Sequence, residues 1–163
     1  DTEIPLGHGQ CMMTPTIEGR VLQALGLAGG EEVLEIGTGS GYLTACLATL
    51  ALHVTSIDIF DDFLTSAAVA LEDCEIDNVE LKRLDATQSL PDGTFDAIAV
   101  TGSIQTLDAL NPGGRLFVVT GDAPAMTAQR ILKTDENEWQ AEHIFETELL
   151  PLVNGALPRQ FAF

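Results

Sequence analysis

Val33-Leu-Glu-Ile-Gly-Thr-Gly-Ser-Gly-Tyr42 is the stretch that decides the fold of this chain. Its first four residues are mostly apolar, as in a strand at the centre of a parallel sheet. The glycines that follow, Gly37, Gly39 and Gly41, allow a tight turn and let a ligand lie against the backbone. A helix that begins at about Gly41 then directs its free N–H groups toward that ligand. The stretch therefore predicts a strand, a ligand-binding loop and a helix.

The spacing of these glycines distinguishes two classes of ligand. A dinucleotide fingerprint is G-x-G-x-x-G, whose third glycine allows close helix–strand packing beside a pyrophosphate. Here the pattern is G-x-G-x-G, and Tyr42 in place of the third glycine disfavours an NAD or nucleotide-sugar enzyme. Glu35, just before the loop, fits a ligand with an ammonium group. The alternative of a purely structural glycine turn is disfavoured by the strand before the loop, the helix after it and an acid downstream.

Two acidic residues follow predicted strands further along the chain. Asp58 ends a strand that begins at His53, and a carboxylate there can accept hydrogen bonds from both hydroxyls of a ribose. Asp85 follows a strand predicted from Val79 to Leu84, where a carboxylate could accept a hydrogen bond from an adenine amino group. Both acids therefore suit a ligand that contains adenosine.

The rest of the chain alternates strands and helices and then changes pattern. Residues 1–15 are rich in Pro and Gly and predict an entrance loop, after which Thr16 is expected to cap the first helix. Further strands are predicted at residues 95–101, 115–120, 127–133 and 139–149, with a short helix at 103–110. The last two strands form a hairpin, and residues 1–163 are expected to form one domain.

Composition limits the partners and the compartment. The chain has 7 Lys and Arg against 25 Asp and Glu, a net charge of −18, which disfavours nucleic acid and anionic membranes as partners. No apolar run reaches the roughly 18 residues that span a membrane, and no signal peptide is visible. Cys11, Cys46 and Cys74 are odd in number and lack the spacing of a zinc site or a disulfide framework. These features predict no metal site and a cytoplasmic protein.

Read as a whole, the chain resembles the protein-L-isoaspartate O-methyltransferases, which use S-adenosylmethionine to methylate the abnormal carboxylate of isoaspartyl residues and so repair damaged proteins. The resemblance runs from about Ile4 to Val153. The motifs that carry it are Pro5-Leu-Gly-His-Gly-Gln10 with Pro15, Val33 to Tyr42, Phe95 to Thr101, Asn111 to Leu116, and Pro151-Leu-Val153. The resemblance implies an α/β fold, a Rossmann-like methyltransferase sandwich with a mostly parallel seven-stranded sheet and a C-terminal antiparallel hairpin.

The resemblance also implies which residues bind the cofactor and its product, S-adenosylhomocysteine. The methionine end should be lined by Glu35, Gly37, Gly39 and Tyr42. Asp58 should hold the ribose with Ile59 beside it, and Asp85 should face the adenine. The remaining members of the implied cofactor set are Gln10, Thr38, Ala86 and Thr101.

The segment implied to bind the acceptor departs from the family. After G-x-G-Q the family usually continues T-x-S-x-P, and those hydroxyls are associated with the isoaspartyl site. This chain has Cys11 and Met13 at these positions, followed by Thr14. A thiol is a weak donor and a thioether is not a donor, and losing one hydrogen bond to a carboxylate costs about 1.5–3 kcal/mol.

Three hypotheses therefore remain open. The first is a methyltransferase that acts on isoaspartyl carboxylates of proteins or peptides. The second is a diverged relative that methylates another acceptor. The third is a protein that binds S-adenosylmethionine without catalysis.

Overall fold

The protein is described from a computed structural model that covers residues 1–100, 109–121, 123–150 and 152–154. In chain order, the elements of these residues are β1 (Ile4–Gly7), β2 (Gln10–Met12), α1 (Pro15–Leu25), β3 (Glu32–Ile36), α2 (Tyr42–Leu50), β4 (His53–Asp58), α3 (Asp61–Asp73), β5 (Val79–Arg83), β6 (Phe95–Val100), β7 (Leu110–Thr120), β8 (Met126–Asp135) and β9 (Glu138–Thr147).

Seven of these strands form one sheet in the order β5-β4-β3-β6-β7-β8-β9. The neighbours from β5 to β7 are parallel, whereas β8 is antiparallel to β7 and β9 is antiparallel to β8. The predicted α/β class, with a mostly parallel sheet and a C-terminal hairpin, is therefore confirmed. The chain steps from β3 to β4 and β5 on one side and then crosses to the other side of β3 for β6. Ligands of open α/β sheets bind at such a reversal, beside the carboxyl ends of the strands.

Strand β3 is buried on both of its faces. Val33 belongs to a core cluster that includes Leu25 of α1 and Leu47 of α2. Leu34 and Ile36 point to the opposite face and belong to a second core cluster. Because alternate residues of a strand face opposite sides of the sheet, a strand that is covered on both sides reads as a continuous apolar run.

The N-terminal segment differs from its prediction. Residues 1–15 were expected to be a loop, but β1 and β2 pair as an antiparallel hairpin in which Pro5 lies opposite Cys11. The expected cap at Thr16 is also wrong, because α1 begins at Pro15 and Thr14 is its N-cap. Proline suits the first helical position, since that position needs no N–H donor and has the φ that proline imposes.

The start of β7 also differs from its prediction. The strand was expected to begin at Arg115 but begins at Leu110, so the predicted turn at residues 111–114 lies inside it. The register between β6 and β7 shifts here, since Phe95 lies opposite Leu110 whereas Ala97 lies opposite Arg115. Of the predicted helix at 103–110, residues 103–108 lie outside the described residues.

Candidate active site

A cavity of about 850 Å³, including its open mouth, lies where the glycine loop meets the N-terminal hairpin. Its walls come from the hairpin, from α1, from the loop after β3, from the ends of β4 and β5, and from the C-terminal segment. Of the residues predicted for the site, those that line it are Gln10, Cys11, Met13, Gly37, Thr38, Gly39, Asp58, Ile59, Asp85 and Ala86. The fold thus brings most of the predicted residues together, although their roles remain predictions.

The glycine loop approaches the hairpin closely at Gly39. This residue has φ of +52°, and a Cβ built on it would lie 3.2 Å from Leu6 Cδ1 of β1. Its N–H donates to Asp58 Oδ2 at 3.1 Å, across the carboxyl ends of β3 and β4. The loop is therefore fixed to the sheet, and glycine leaves room between the loop and the hairpin.

Asp58 joins the loop to the segment that follows β4. Its Oδ2 accepts from Gly39 N, and its Oδ1 accepts from Phe60 N at 3.0 Å. Each carboxylate oxygen has two acceptor sites, so the described residues leave one site on each oxygen without a donor, in a side chain that lines the cavity. That is the arrangement expected of a residue that accepts hydrogen bonds from two neighbouring hydroxyls.

Glu35 lies behind the glycine loop rather than on the cavity wall. It is 0% exposed, and its Oε2 accepts hydrogen bonds from Thr44 Oγ1 and, at 2.6 Å, from Ser56 Oγ. Ser56 Oγ is also hydrogen-bonded to Thr38 Oγ1 at 2.6 Å, which links the carboxylate to the loop. Burial raises the pKa of Glu35 to about 7, against the opposing effect of the two hydroxyl donors. The network suggests that Glu35 orients the loop.

We expect Glu35 to make the stability of the protein depend on pH. An unfolded glutamate has its ordinary pKa of 4.5, whereas that of folded Glu35 is about 7. Between these values the folded state retains a proton that the unfolded state loses, so the free energy of unfolding falls as pH rises from about 4.5 to about 7. The free energy of unfolding lost through this group is about 3 kcal/mol.

Urea unfolding of Glu35→Gln across this range measures the effect. The variant should show a shallower decline than the wild type, because glutamine does not titrate. Glu72→Gln, at an exposed position of α3, is the matched control and should follow the wild-type profile. If the free energy of unfolding declined equally with pH in Glu35→Gln and the wild type, Glu35 would not be the group that causes the decline.

Three other predicted residues do not line the cavity or cannot be placed. The Tyr42 side chain is 50% exposed at the start of α2, outside the lining. Thr14 is the N-cap of α1, where its carbonyl oxygen accepts from the N–H groups of Ile17 and Glu18. Thr101 lies outside the described residues.

Asp85 lines the cavity, but its carboxylate already has four donors. Its Oδ1 accepts from the backbone N–H and the hydroxyl of Thr87, and its Oδ2 accepts from Gln88 Nε2 and Asn154 Nδ2. These donors lower the pKa of Asp85, led by the Thr87 hydroxyl. The carboxylate therefore orders the loop after β5 and links it to the C-terminal segment. Its predicted bond to an adenine amino group would need one of these donors to move.

The acceptor segment lines the cavity at Cys11, Met12 and Met13. The Cys11 thiol donates toward Glu3 Oε2, with the two atoms 3.6 Å apart. Burial and then the Glu3 carboxylate raise the pKa of this thiol. Neither Cys11 nor Met13 therefore presents a strong hydrogen-bond donor to a ligand in the cavity.

The cavity includes residues that the sequence reasoning did not assign to it. They are Leu6, Met12, Glu18, Ile36, Ser40, Leu43, Ile57, Phe60, Phe63, Leu84, Thr87, Leu150, Leu152 and Val153. Glu18 had a signal in the sequence, because it shares the apolar helical face of Val21 and Leu25 at spacings of three and seven. Leu152 and Val153 belong to a motif of the family resemblance, but nothing in their own sequence indicates that the tertiary fold returns them to the cavity beside the glycine loop.

Two features of the described residues concern membrane spans and metal binding. None of the helices they form is long and apolar enough to cross a membrane. Within the same part of the chain, no group of three or more His, Cys, Asp or Glu side chains is placed to hold a metal ion.

Comparison with known proteins identifies relatives across nearly the whole chain. The family described as protein-L-isoaspartate(D-aspartate) O-methyltransferase (PCMT) matches residues 1–157. A protein-L-isoaspartate O-methyltransferase 1 of Rhodopseudomonas palustris is 36% identical over 162 residues, which cover 94% of this chain and 65% of the relative. The corresponding enzyme of Anaeromyxobacter dehalogenans is 39% identical over 160 residues, which cover 93% of this chain and 74% of the relative. The chain thus spans about two thirds to three quarters of these proteins.

Solved structures show the same fold. A Plasmodium falciparum chain described as a protein-L-isoaspartate O-methyltransferase in complex with S-adenosyl-L-homocysteine has a TM-score of 0.81 and 20% identity. The match covers 95% of this chain and 81% of that chain. At this identity the likeness establishes the fold.

Proposed function

The chain belongs to the protein-L-isoaspartate(D-aspartate) O-methyltransferase family, and from this premise we propose that it transfers a methyl group from S-adenosylmethionine to the carboxylate of isoaspartyl residues in proteins or peptides. The observation that carries the proposal is the shared cavity. It brings the glycine loop and Asp58, which suit the cofactor, against the segment at residues 10–13 that corresponds to the family's acceptor site.

The residues of the cavity fit S-adenosylmethionine. Gly39 brings the backbone of the loop to the cavity wall beside the hairpin, and Asp58 retains acceptor sites for a ribose. Among the described residues that line the cavity there is no Lys, Arg or His, whereas Glu18, Asp58 and Asp85 are acidic. This charge suits a cofactor that carries a sulfonium and an ammonium group.

When bound, S-adenosylmethionine supplies a methyl group on a positively charged sulfur, which is a good leaving group. A carboxylate oxygen of the acceptor attacks the methyl carbon in line with the carbon–sulfur bond. The new carbon–oxygen bond gives a methyl ester, and the bonding pair of the broken bond stays on sulfur. No proton moves, so the protein contributes alignment of the reactants and exclusion of water.

Restoring the family's hydroxyls should improve recognition of the acceptor. We expect Cys11→Thr with Met13→Ser to raise kcat/KM for an isoaspartyl peptide by about 10- to 150-fold, the value of one hydrogen bond to a charged group. Steady-state methyl transfer with saturating cofactor measures this effect. Cys74→Ser, an exposed cysteine outside the cavity lining, serves as the control, and no gain from the double change would mean that the pocket differs by more than two hydroxyls.

One observation favours a second function, methylation of a different acceptor. Cys11 is engaged with Glu3, and Met13 has no donor, so a carboxylate in this part of the cavity lacks the hydroxyls usual in the family. A third possibility, cofactor binding without catalysis, shares the same cofactor residues and differs only in turnover.

Transfer of label from methyl-labelled S-adenosylmethionine to an aged protein distinguishes these functions. The aged protein is one in which isoaspartyl residues have accumulated, and its fresh form is the matched control. The proposal predicts label in the aged protein only, released by mild base as expected of a carboxyl methyl ester. Label that resists base would support another acceptor, and cofactor binding without label would support the non-catalytic alternative.

We also place the protein in a reducing cytoplasm, with protein or peptide acceptors and without nucleic acid as a partner. Cys11, Cys46 and Cys74 are free thiols, which suits a compartment that keeps thiols reduced. The net charge of −18 opposes contact with phosphate backbones.

A further inference from the structure

Glu18 is a buried carboxylate on the cavity wall. It lies in the first turn of α1, where its N–H donates to Thr14 O at 3.1 Å, directly after the acceptor segment. The residue is 4% exposed, it lines the cavity, and its Oε2 has no hydrogen-bond partner among the residues that the structure describes. A buried polar atom that lacks a partner in the protein is a candidate to receive one from a ligand.

Among the described residues, the titratable groups found around Glu18 carry no positive charge. Burial raises its pKa to about 7. The titratable groups that interact with it are Glu35 of β3 and, on α2, Tyr42 and Cys46. Cys11 and Asp58 line the same cavity from β2 and β4. None of these groups is a cation, so an ionised Glu18 depends on the ligand for compensation.

We propose that Glu18 binds the α-ammonium group of the methionine end of the cofactor. The inference rests on the proposed function, since it takes the cavity to be the S-adenosylmethionine site. Glu18 interacts electrostatically with Tyr42 and Cys46. Both residues lie in the first turns of α2, the helix that follows the glycine loop. The methionine end should lie beside that same loop. Glu35, which was expected to meet the ammonium group, is behind the loop and outside the cavity lining.

This assignment makes cofactor affinity depend on pH. The ammonium group is stabilised by the ionised form of Glu18, and the pKa of this residue without ligand is about 7. Affinity should therefore rise as pH increases from about 5.5 to 7.5, by up to tenfold per unit below the pKa. An analogue of S-adenosylhomocysteine that lacks the α-amino group should lack this rise.

Calorimetry with two proteins and two ligands tests the proposal. The proteins are the wild type and Glu18→Gln, and the ligands are S-adenosylhomocysteine and its deaminated analogue. At pH 7.5 we expect Glu18→Gln to weaken the binding of S-adenosylhomocysteine about 10- to 150-fold, the range for a hydrogen bond to a charged group. The same change should alter the affinity of the deaminated analogue less than threefold. Glu72→Gln, exposed on α3, should change neither.

Each outcome decides a different point. Equal losses for both ligands, or no loss for either, would overturn the role of Glu18 while leaving the proposed function intact. Failure of the wild type to bind S-adenosylhomocysteine would contradict the proposed function itself, and the assignment with it. The wild-type pH profiles of the two ligands give the same test if Glu18→Gln does not fold.

Discussion

Replacing Asp58 by alanine is expected to weaken S-adenosylhomocysteine binding at least 100-fold. The carboxylate fixes the glycine loop through Gly39 N and the segment after β4 through Phe60 N. In the proposed complex it also accepts from both ribose hydroxyls, and each hydrogen bond to a charged group contributes about 1.5–3 kcal/mol. Two such bonds account for a loss of at least 100-fold. Isothermal titration calorimetry at pH 7.5 measures it.

Asp61→Ala is the matched control for Asp58→Ala. Asp61 lies three positions further along the chain, and its exposed ion pair with Arg83 has both side chains 66% exposed. An exposed ion pair contributes little to stability, so Asp61→Ala should bind S-adenosylhomocysteine with the affinity of the wild type. Circular dichroism of both variants checks that the fold is retained. Unchanged affinity in folded Asp58→Ala would show that the ribose lies elsewhere.

Replacing Gly41 by alanine is expected to lower the free energy of unfolding by about 3 kcal/mol. Gly41 has φ of +80°, where an alanine costs about 1–2 kcal/mol. A Cβ at this position would also lie 2.8 Å from Ala67 Cβ of α3, in a contact that neither side can relieve by rotating a side chain. Overpacking of this kind costs about 1–3 kcal/mol. Thermal unfolding should show a fall in Tm of about 6–12 °C.

Gly113→Ala separates the two causes. Gly113 has almost the same φ, +83°, but a Cβ there would meet nothing within 4 Å. The free energy of unfolding of Gly113→Ala should therefore fall only by the cost of placing alanine at a positive φ, about 1–2 kcal/mol. A loss as large as that of Gly41→Ala would mean that the close approach between the glycine loop and α3 contributes nothing to the difference.

The central architecture could be predicted because its signals are local. The mostly apolar run from Val33 to Ile36, the three glycines and the following helix describe β3, the loop and α2 without knowledge of the rest of the chain. The terminal hairpin of β8 and β9 was predicted for the same reason, since two strand-like segments flank a short polar turn at residues 135–137.

The features that were missed depend on contacts between distant segments. The Pro and Gly residues of the N-terminal hairpin favour turns, so the sequence predicts a loop there. In the structure His8 adopts φ of +51° in the turn of the hairpin and stacks on Phe60, with the ring centroids 4.0 Å apart. Glu35 was expected to face the ligand, but its side chain reaches Ser56 on the neighbouring strand. Asp85 receives a donor from Asn154, which no local pattern indicates.

Competition between two peptides decides whether this cavity methylates isoaspartyl carboxylates. Two peptides that differ only in one residue, isoaspartyl in one and aspartyl in the other, are mixed at equal concentration with methyl-labelled S-adenosylmethionine, separated and counted. Recognition of the isoaspartyl carboxylate predicts label in the isoaspartyl peptide and background counts in the aspartyl peptide. Equal labelling of both peptides, or no labelling by a protein that binds the cofactor, would contradict this activity.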